Sequence, residues 1–455
     1  MIRHCIIILA FALVACDNVR SVETTTRAQV VEASLPPMKS FSTSRPSPPT
    51  RSNANIAADF LSLHFALESG RELPVLTRFD TPITVRLTGS PPPTMQTDLS
   101  RLLSRLQREA GIDIRQVSGG NANITIEAVS RADIRRTLPQ AACFVVPNSS
   151  SLAEYRRDRR KSKSNWSQLR SRERIGIFIP YDVSPQEVRD CLHEELAQAL
   201  GPLNDLYRLP DSVFNDDNVH TVLTGFDMLI LRATYAPEIK NGMTPTQVAK
   251  ALPGVLSRLN PRGDSIPAKP VSDTPRAWND AIQKSLGPGA DTAKRLRSAK
   301  TAARIGQTSG WTDHRRAFPY YIIGRIVQFD DPAEAQRQYE AALYYLSQTP
   351  GTGLHRAHVT VQTAAYAISQ SDGAAVLPQI NAAIDTMTRA ENAAMLATLL
   401  LLRAEALEQI GRSEQARTVR LDSIGWARYG FGSDWVVRSV MQDIALLNPN
   451  NRTGG

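Results

Sequence analysis

The chain has 455 residues, 42% of them hydrophobic and 21% charged, with a formal net charge of +9. That length exceeds what one hydrophobic core serves and fits two domains with connectors, and the composition excludes a disordered or low-complexity polypeptide. The positive surplus is local: across residues 155–174, nine basic side chains (Arg156, Arg157, Arg159, Arg160, Lys161, Lys163, Arg170, Arg172, Arg174) stand against only Asp158 and Glu173.

Residues 1–15 read as a signal peptide, with Arg3 ahead of an apolar run over 5–14. The run is too short to span a bilayer, which takes roughly 20 apolar residues. Leu13-Val14-Ala15-Cys16 resembles the lipobox of bacterial lipoproteins. That resemblance implies acylation of Cys16, a membrane anchor worth about 0.8 kcal/mol per buried CH₂, and a location in the cell envelope facing the periplasm. The Ser-, Thr- and Pro-rich stretch 16–52 is expected to be a disordered tether. With Cys5 removed and Cys16 acylated, Cys143 and Cys191 remain in an oxidising compartment. A disulfide between them is expected to contribute about 4 kcal/mol, the alternative being two buried thiols. Export argues against nucleic acid as a partner of the basic run. It reads either as a solvated insertion or as a contact for anionic headgroups, at roughly 1 kcal/mol per basic residue.

Residues 53–260 read as an α+β domain. A helix is expected over 55–69, with Ile56, Phe60, Leu63 and Leu67 on one face and Gly70 as its stop. Strand patterns follow at 83–87, 112–117, 124–126, 142–146 and 175–180, with a helix at 98–110 closed by Gly111. Ser184, Pro185 and Glu187 form a capping-box signature that opens a polar helix running to Gly201. Further helices are expected at 218–235 and 246–259.

The polar helix carries His193-Glu194-Glu195-Leu196-Ala197-Gln198-Ala199-Leu200-Gly201, with Asn204 and Asp205 beyond it. This segment, after several strands, resembles the metzincin pattern H-E-x-x-H-x-x-G-x-x-H of zincin-type metallopeptidases. The resemblance implies that Glu194, Gln198 and Asn204 occupy the three metal-ligand positions, Glu195 the general-base position and Gly201 the turn. Phe214, within 211–216, then falls where such enzymes carry the methionine of the turn beneath the site. The register that starts at His193 fails because Ala197 cannot coordinate. His193 lies roughly 100° around the helix from Glu194 and is expected to be a packed or surface residue. One carboxylate and two amides are poor zinc ligands, so neither metal nor cofactor is expected. Calcium needs six to eight oxygens, and only sequence proximity connects Asp205, Asp211, Asp216 and Asp217. Glu195, with His193, is what remains for acid–base chemistry. The chain thus resembles bacterial lipoproteins of unassigned function that carry a degenerate zincin-like domain.

Residues 261–275 read as a linker, and 276–455 as purely helical. Small residues at Ala335, Ala375 and Ala416 recur at spacings of 40 and 41. This resembles tetratricopeptide pairs, although it is longer than their 34-residue repeat. Three such pairs either present a concave surface to another envelope protein or peptide, or brace the first domain. The fold class expected is an α+β zincin-like domain followed by an all-α helical-repeat domain. The function expected is a membrane-anchored envelope lipoprotein with an inactive zincin-like domain that acts in protein binding or assembly. The alternative is a hydrolase that uses Glu195 as acid or base.

Overall fold

A computed structural model describes residues 35–41, 46–287 and 289–452. The signal run, Cys16 and most of the expected tether lie outside the described residues.

The α/β half begins with α1 (Asn53–His64), capped by Ser52, whose Oγ accepts from the backbone N–H of Asn55. It ends five residues earlier than expected, because the chain folds back after Phe65 through a bridge between Ala66 and Glu72. β1 (Ile83–Gly89) leads into α2 (Pro93–Ala110), which starts ahead of the expected 98 with a proline in its first turn and buries Leu99, Leu102, Leu103 and Leu106. β2 (Ile114–Gln116), β3 (Ile124–Val129), α3 (Arg131–Thr137), β4 (Phe144–Pro147), α4 (Leu152–Asp158) and β5 (Ile175–Pro180) follow. The five strands pair in the order β2-β1-β3-β5-β4. All neighbours are parallel except β4, which runs antiparallel to β5 with Val145 opposite Ile177. β5 is buried along its whole length, as its apolar run requires in the middle of a covered sheet.

α5 (Pro185–Leu200) follows β5 directly and lies almost wholly buried. Its N-cap is half of the expected box. Ser184 Oγ accepts from the Glu187 N–H, while the Glu187 carboxylate pairs with Arg131 instead of returning to the cap. At the other end the buried Arg172 guanidinium donates to the carbonyls of Gln198 and Gly201, satisfying groups that a helix leaves unpaired. α6 (Gly225–Thr234) is shorter than expected. Asn215 and Asp217 bind local backbone N–H groups and hold the preceding residues in turns, until Thr224 and Asp227 form a capping box. α7 (Pro245–Leu259) closes this half.

Five of the nine cations of the basic segment have carboxylate partners. Asp158 is 2% exposed at its side chain and pairs with Arg157, Lys161 and Lys163. Arg156 reaches Asp133 at 3.1 Å and Arg174 reaches Glu154 at 2.9 Å. The segment is thus partly tied to its surroundings, with Arg157 and Lys161 still 67% and 61% exposed at their side chains.

The helical half comprises α8 (Arg276–Leu286), α9 (Thr292–Thr308), α10 (His314–Val327), α11 (Pro332–Ser347), α12 (Gly353–Ser369), α13 (Gly373–Arg389), α14 (Ala393–Gln409), α15 (Ser413–Phe431) and α16 (Asp434–Ala445). Consecutive helices pack together, α8 with α9, α10 with α11, and α12 through α15 in series. Ala335 and Ala416 are fully buried, but Ala375 is exposed, and the inward position of α13 falls one residue on, at Val376. At Gly430 a Cβ would lie 2.5 Å from the Ala394 backbone, so glycine lets α15 and α14 approach.

The described residues from Met38 onward form one unit. Part of the expected tether is packed: Phe41 stacks on Trp426 at 4.5 Å and shares a core with Val219 and helices α12–α16. Part of the expected linker is also bonded, as a 3-10 turn at Pro261–Ser265 and through Asn55 to Lys269. The halves meet through Asp98 and Tyr429 (2.7 Å), Gln186 and Asn392 (3.1 Å), and Asp217 and His355 (2.8 Å). The helices pack on the α/β half along a seam that is both polar and apolar, since Val219 and Tyr207 enter cores of the helical half.

Candidate functional site

α5 places Cys191, Glu194, Glu195 and Gln198 at helical spacing on one stripe. Cys191 is joined to Cys143, with Cα atoms 6.0 Å apart. Cys143 immediately precedes β4, so the bond ties the outer strand of the sheet to the polar helix. Both border a cleft of about 530 Å³. Ala141–Val145, Glu194, Glu195, Gln198, Glu68, Asp205 and Asp216 are among the residues that line it. Five carboxyl groups line the cleft, and no lysine or arginine does.

Proximity and burial set the electrostatics. Burial, then the charges of Glu68 and Asp216, push Glu194 from 4.5 up to about 7. Burial raises Glu195 well above the ordinary range, with Glu194 and Glu68 adding to it. Asp205 rises for the same first reason, followed by Glu68 and Glu194, and burial also raises Asp216. Like charges this close cannot all ionise, so the cluster holds protons near neutral pH. Glu195 is 5% exposed, and its Oε2 has no hydrogen-bond partner, nor does Asp205 Oδ1.

Glu194, Glu195 and Gln198 come together as the spacing implied, but Asn204 does not join them. The Leu203 N–H bonds to the Leu63 carbonyl, which turns the Asn204 amide onto the Ser62 carbonyl at 3.0 Å. Asp205 enters the cleft in its place. Gly201 is where the chain leaves the helix, and a Cβ there would lie 3.0 Å from both His64 Nε2 and Thr234 Cγ2. Phe214 is fully buried in the core with α5. His193 points elsewhere: its Nδ1 accepts from the Leu223 N–H at 3.1 Å, and it lines a second pocket against α2.

Zinc does not fit this donor set. Among the described residues, no group of three or more His, Cys, Asp or Glu side chains is placed to hold a metal ion. Acidic oxygens without imidazole or thiolate are also the wrong chemistry for it. The arrangement can instead receive an organic cation or store a proton. Glu68 was not legible as a member of the site, since nothing in its local pattern separates it from a helix-end glutamate.

Among the described residues, no helix is long and apolar enough to cross a membrane. No curated protein and no solved structure matches the chain. Residues 53–254, which span the α/β half into α7, match the family described as "Protein of unknown function (DUF2927)".

Proposed function

We propose that the chain is a cell-envelope binding protein whose cleft takes an extended polypeptide segment carrying a cationic side chain. The observation that carries this reading is that β4, the outer strand of the sheet, and the carboxyl-bearing stripe of α5 line one cleft and are linked by a disulfide. A free strand edge accepts an extended peptide through backbone hydrogen bonds, with side-chain pockets supplying selectivity. The carboxyls then select for lysine or arginine, which replaces the shared protons. The likeness of the strand and helix order to zincin peptidases supports reading the cleft as a peptide groove without its metal. On the same reading, acylated Cys16 anchors the protein to a membrane and the helical half braces the groove. The test is twofold. Protein purified without chelator should contain no stoichiometric zinc, and a lysine-containing extended peptide should bind and be recovered intact. One zinc per chain, or no peptide binding, overturns the proposal.

The unpartnered Glu195 Oε2 supports a second reading, a metal-independent hydrolase with Glu195 as the acid. It requires turnover of a peptide or cell-wall substrate that Glu195→Gln abolishes while the fold is retained, and turnover that survives the substitution rules it out.

A further inference from the structure

The opposite face of α5 builds a second site of reversed charge. Arg101, Arg105 and Arg108 form one stripe on α2, and with Arg189 and His193 of α5 they line a pocket of about 380 Å³ that also contains Asp98, Ser100, Ser104 and Glu391. Like charges at this helical spacing oppose helix formation, by about 0.2–0.5 kcal/mol per pair. Glu109 offsets only part of this, holding the Arg105 Nε and Nη2 at 2.8 Å each.

Two donors on the arginines that line the pocket are buried without a partner. Arg105 is 5% exposed, yet its Nη1 has no partner, and the Nε of the equally buried Arg189 has none either. Each carboxylate of the pocket has one partnered oxygen, while Glu391 Oε1 has no partner. Asp98 accepts from the Tyr429 hydroxyl at 2.7 Å, and Glu391 pairs with Arg189 at 3.3 Å. His193 adds a donor, because its Nδ1 accepts a backbone N–H and the proton of the neutral ring must sit on Nε2. Burial, then the charges of Arg105 and Arg189, keep that ring neutral.

We infer that this pocket binds a phosphoryl group. Four guanidiniums stand against Asp98, Glu391 and the Glu109 that holds Arg105, a surplus of one positive charge that a bound anion offsets. Donors converge from two helices, and a tetrahedral group accepts hydrogen bonds from several directions. The group arrives either on a soluble phosphate ester or as the headgroup of an anionic phospholipid. The site lies at the seam where Arg189 of the α/β half meets Glu391 of the helical half, so its occupant touches both.

The experiment is calorimetric titration of the full chain at low ionic strength with inorganic phosphate. In parallel, co-sedimentation is measured with phosphatidylglycerol vesicles against phosphatidylcholine vesicles. The expected result is saturable binding in at least one arm that weakens about tenfold or more in Arg101→Gln/Arg108→Gln, whose side chains are exposed and whose loss leaves the fold intact. Arg105→Met should abolish binding where that variant folds. Binding of phosphate alone assigns a soluble ligand, and binding of the anionic vesicles alone assigns a headgroup. Binding in neither arm, or binding that is unchanged in the exposed double variant, overturns the inference.

Discussion

Glu194→Gln exchanges a carboxyl that burial and the charges of Glu68 and Asp216 raise from 4.5 to about 7 for a neutral group of the same shape. A raised pKa in the folded state makes a contribution that is complete below the unfolded value and is lost as pH rises through 7. Each unit corresponds to about 1.4 kcal/mol, so a fully buried carboxyl would cost about 3 kcal/mol at pH 8.5. Glu194 is half-buried, and solvent screening reduces this to about 1–3 kcal/mol. Removing its charge also relieves Glu195 and Asp205, which Glu194 pushes upward in the same direction. For a cooperative unit of this size the gain is about 1–4 °C in Tm. Calorimetric melts of the parent and variant at pH 5 and pH 8.5 read it directly. The variant should exceed the parent at pH 5 by only about a quarter of its advantage at pH 8.5, while losing affinity for a cationic peptide. An equal shift at both pH values, or destabilisation at pH 8.5, would refute the electrostatic account of the cleft.

Other consequences concern the frame. Reduction, or Cys143→Ser/Cys191→Ser, should cost about 4 kcal/mol from the loop the disulfide closes, seen as a lower Tm under reductant, and should weaken peptide binding. A Tm indifferent to reductant would count against the bond's role. Arg172→Met leaves the Gln198 and Gly201 carbonyls without their charged donor and should cost about 3 kcal/mol in urea unfolding. At the seam, burial and the nearby His355 hold His314 and His358 down at about 4. A depressed pKa gives stability that is present above the unfolded value near 6.5 and is lost as pH falls through 4. The emission of Trp278 and Trp311, which pack beside this cluster, should therefore report loosening between pH 6 and 4, and His314→Phe/His358→Phe should shift that transition to lower pH.

Much of this was legible because the signals were local. Ser184 and Pro185 opened α5, Gly201 closed it, and Cys143 and Cys191 were the two cysteines that the expected signal and lipidation site left to pair. Asn204 misled because its direction depends on a contact between Leu203 and Leu63, far apart in sequence. The start of α6 was misplaced because turns built by Asn215 and Asp217 outcompete a helix over residues with acceptable propensity. Arg172 reads as one of nine clustered cations, and only the tertiary structure makes it the C-terminal cap of another helix. The stripe Arg101, Arg105 and Arg108 was present in the sequence, but its partners Arg189 and His193 come from α5, and no local pattern joins them. That β4 is an outer, antiparallel strand beside the polar helix is likewise a property of sheet order, which strand patterns do not carry.

The central claim is that the cleft binds through its carboxyls and not through a metal. Fluorescence anisotropy of a labelled, extended, lysine-containing peptide, titrated with chelator-treated protein from pH 6 to 8.5, tests it most directly. The expected result is saturable binding that strengthens as pH rises through about 7, where Glu194 ionises, and that added zinc does not improve. Binding that appears only when zinc is restored, or that is indifferent to pH and to Glu194→Gln, would contradict it.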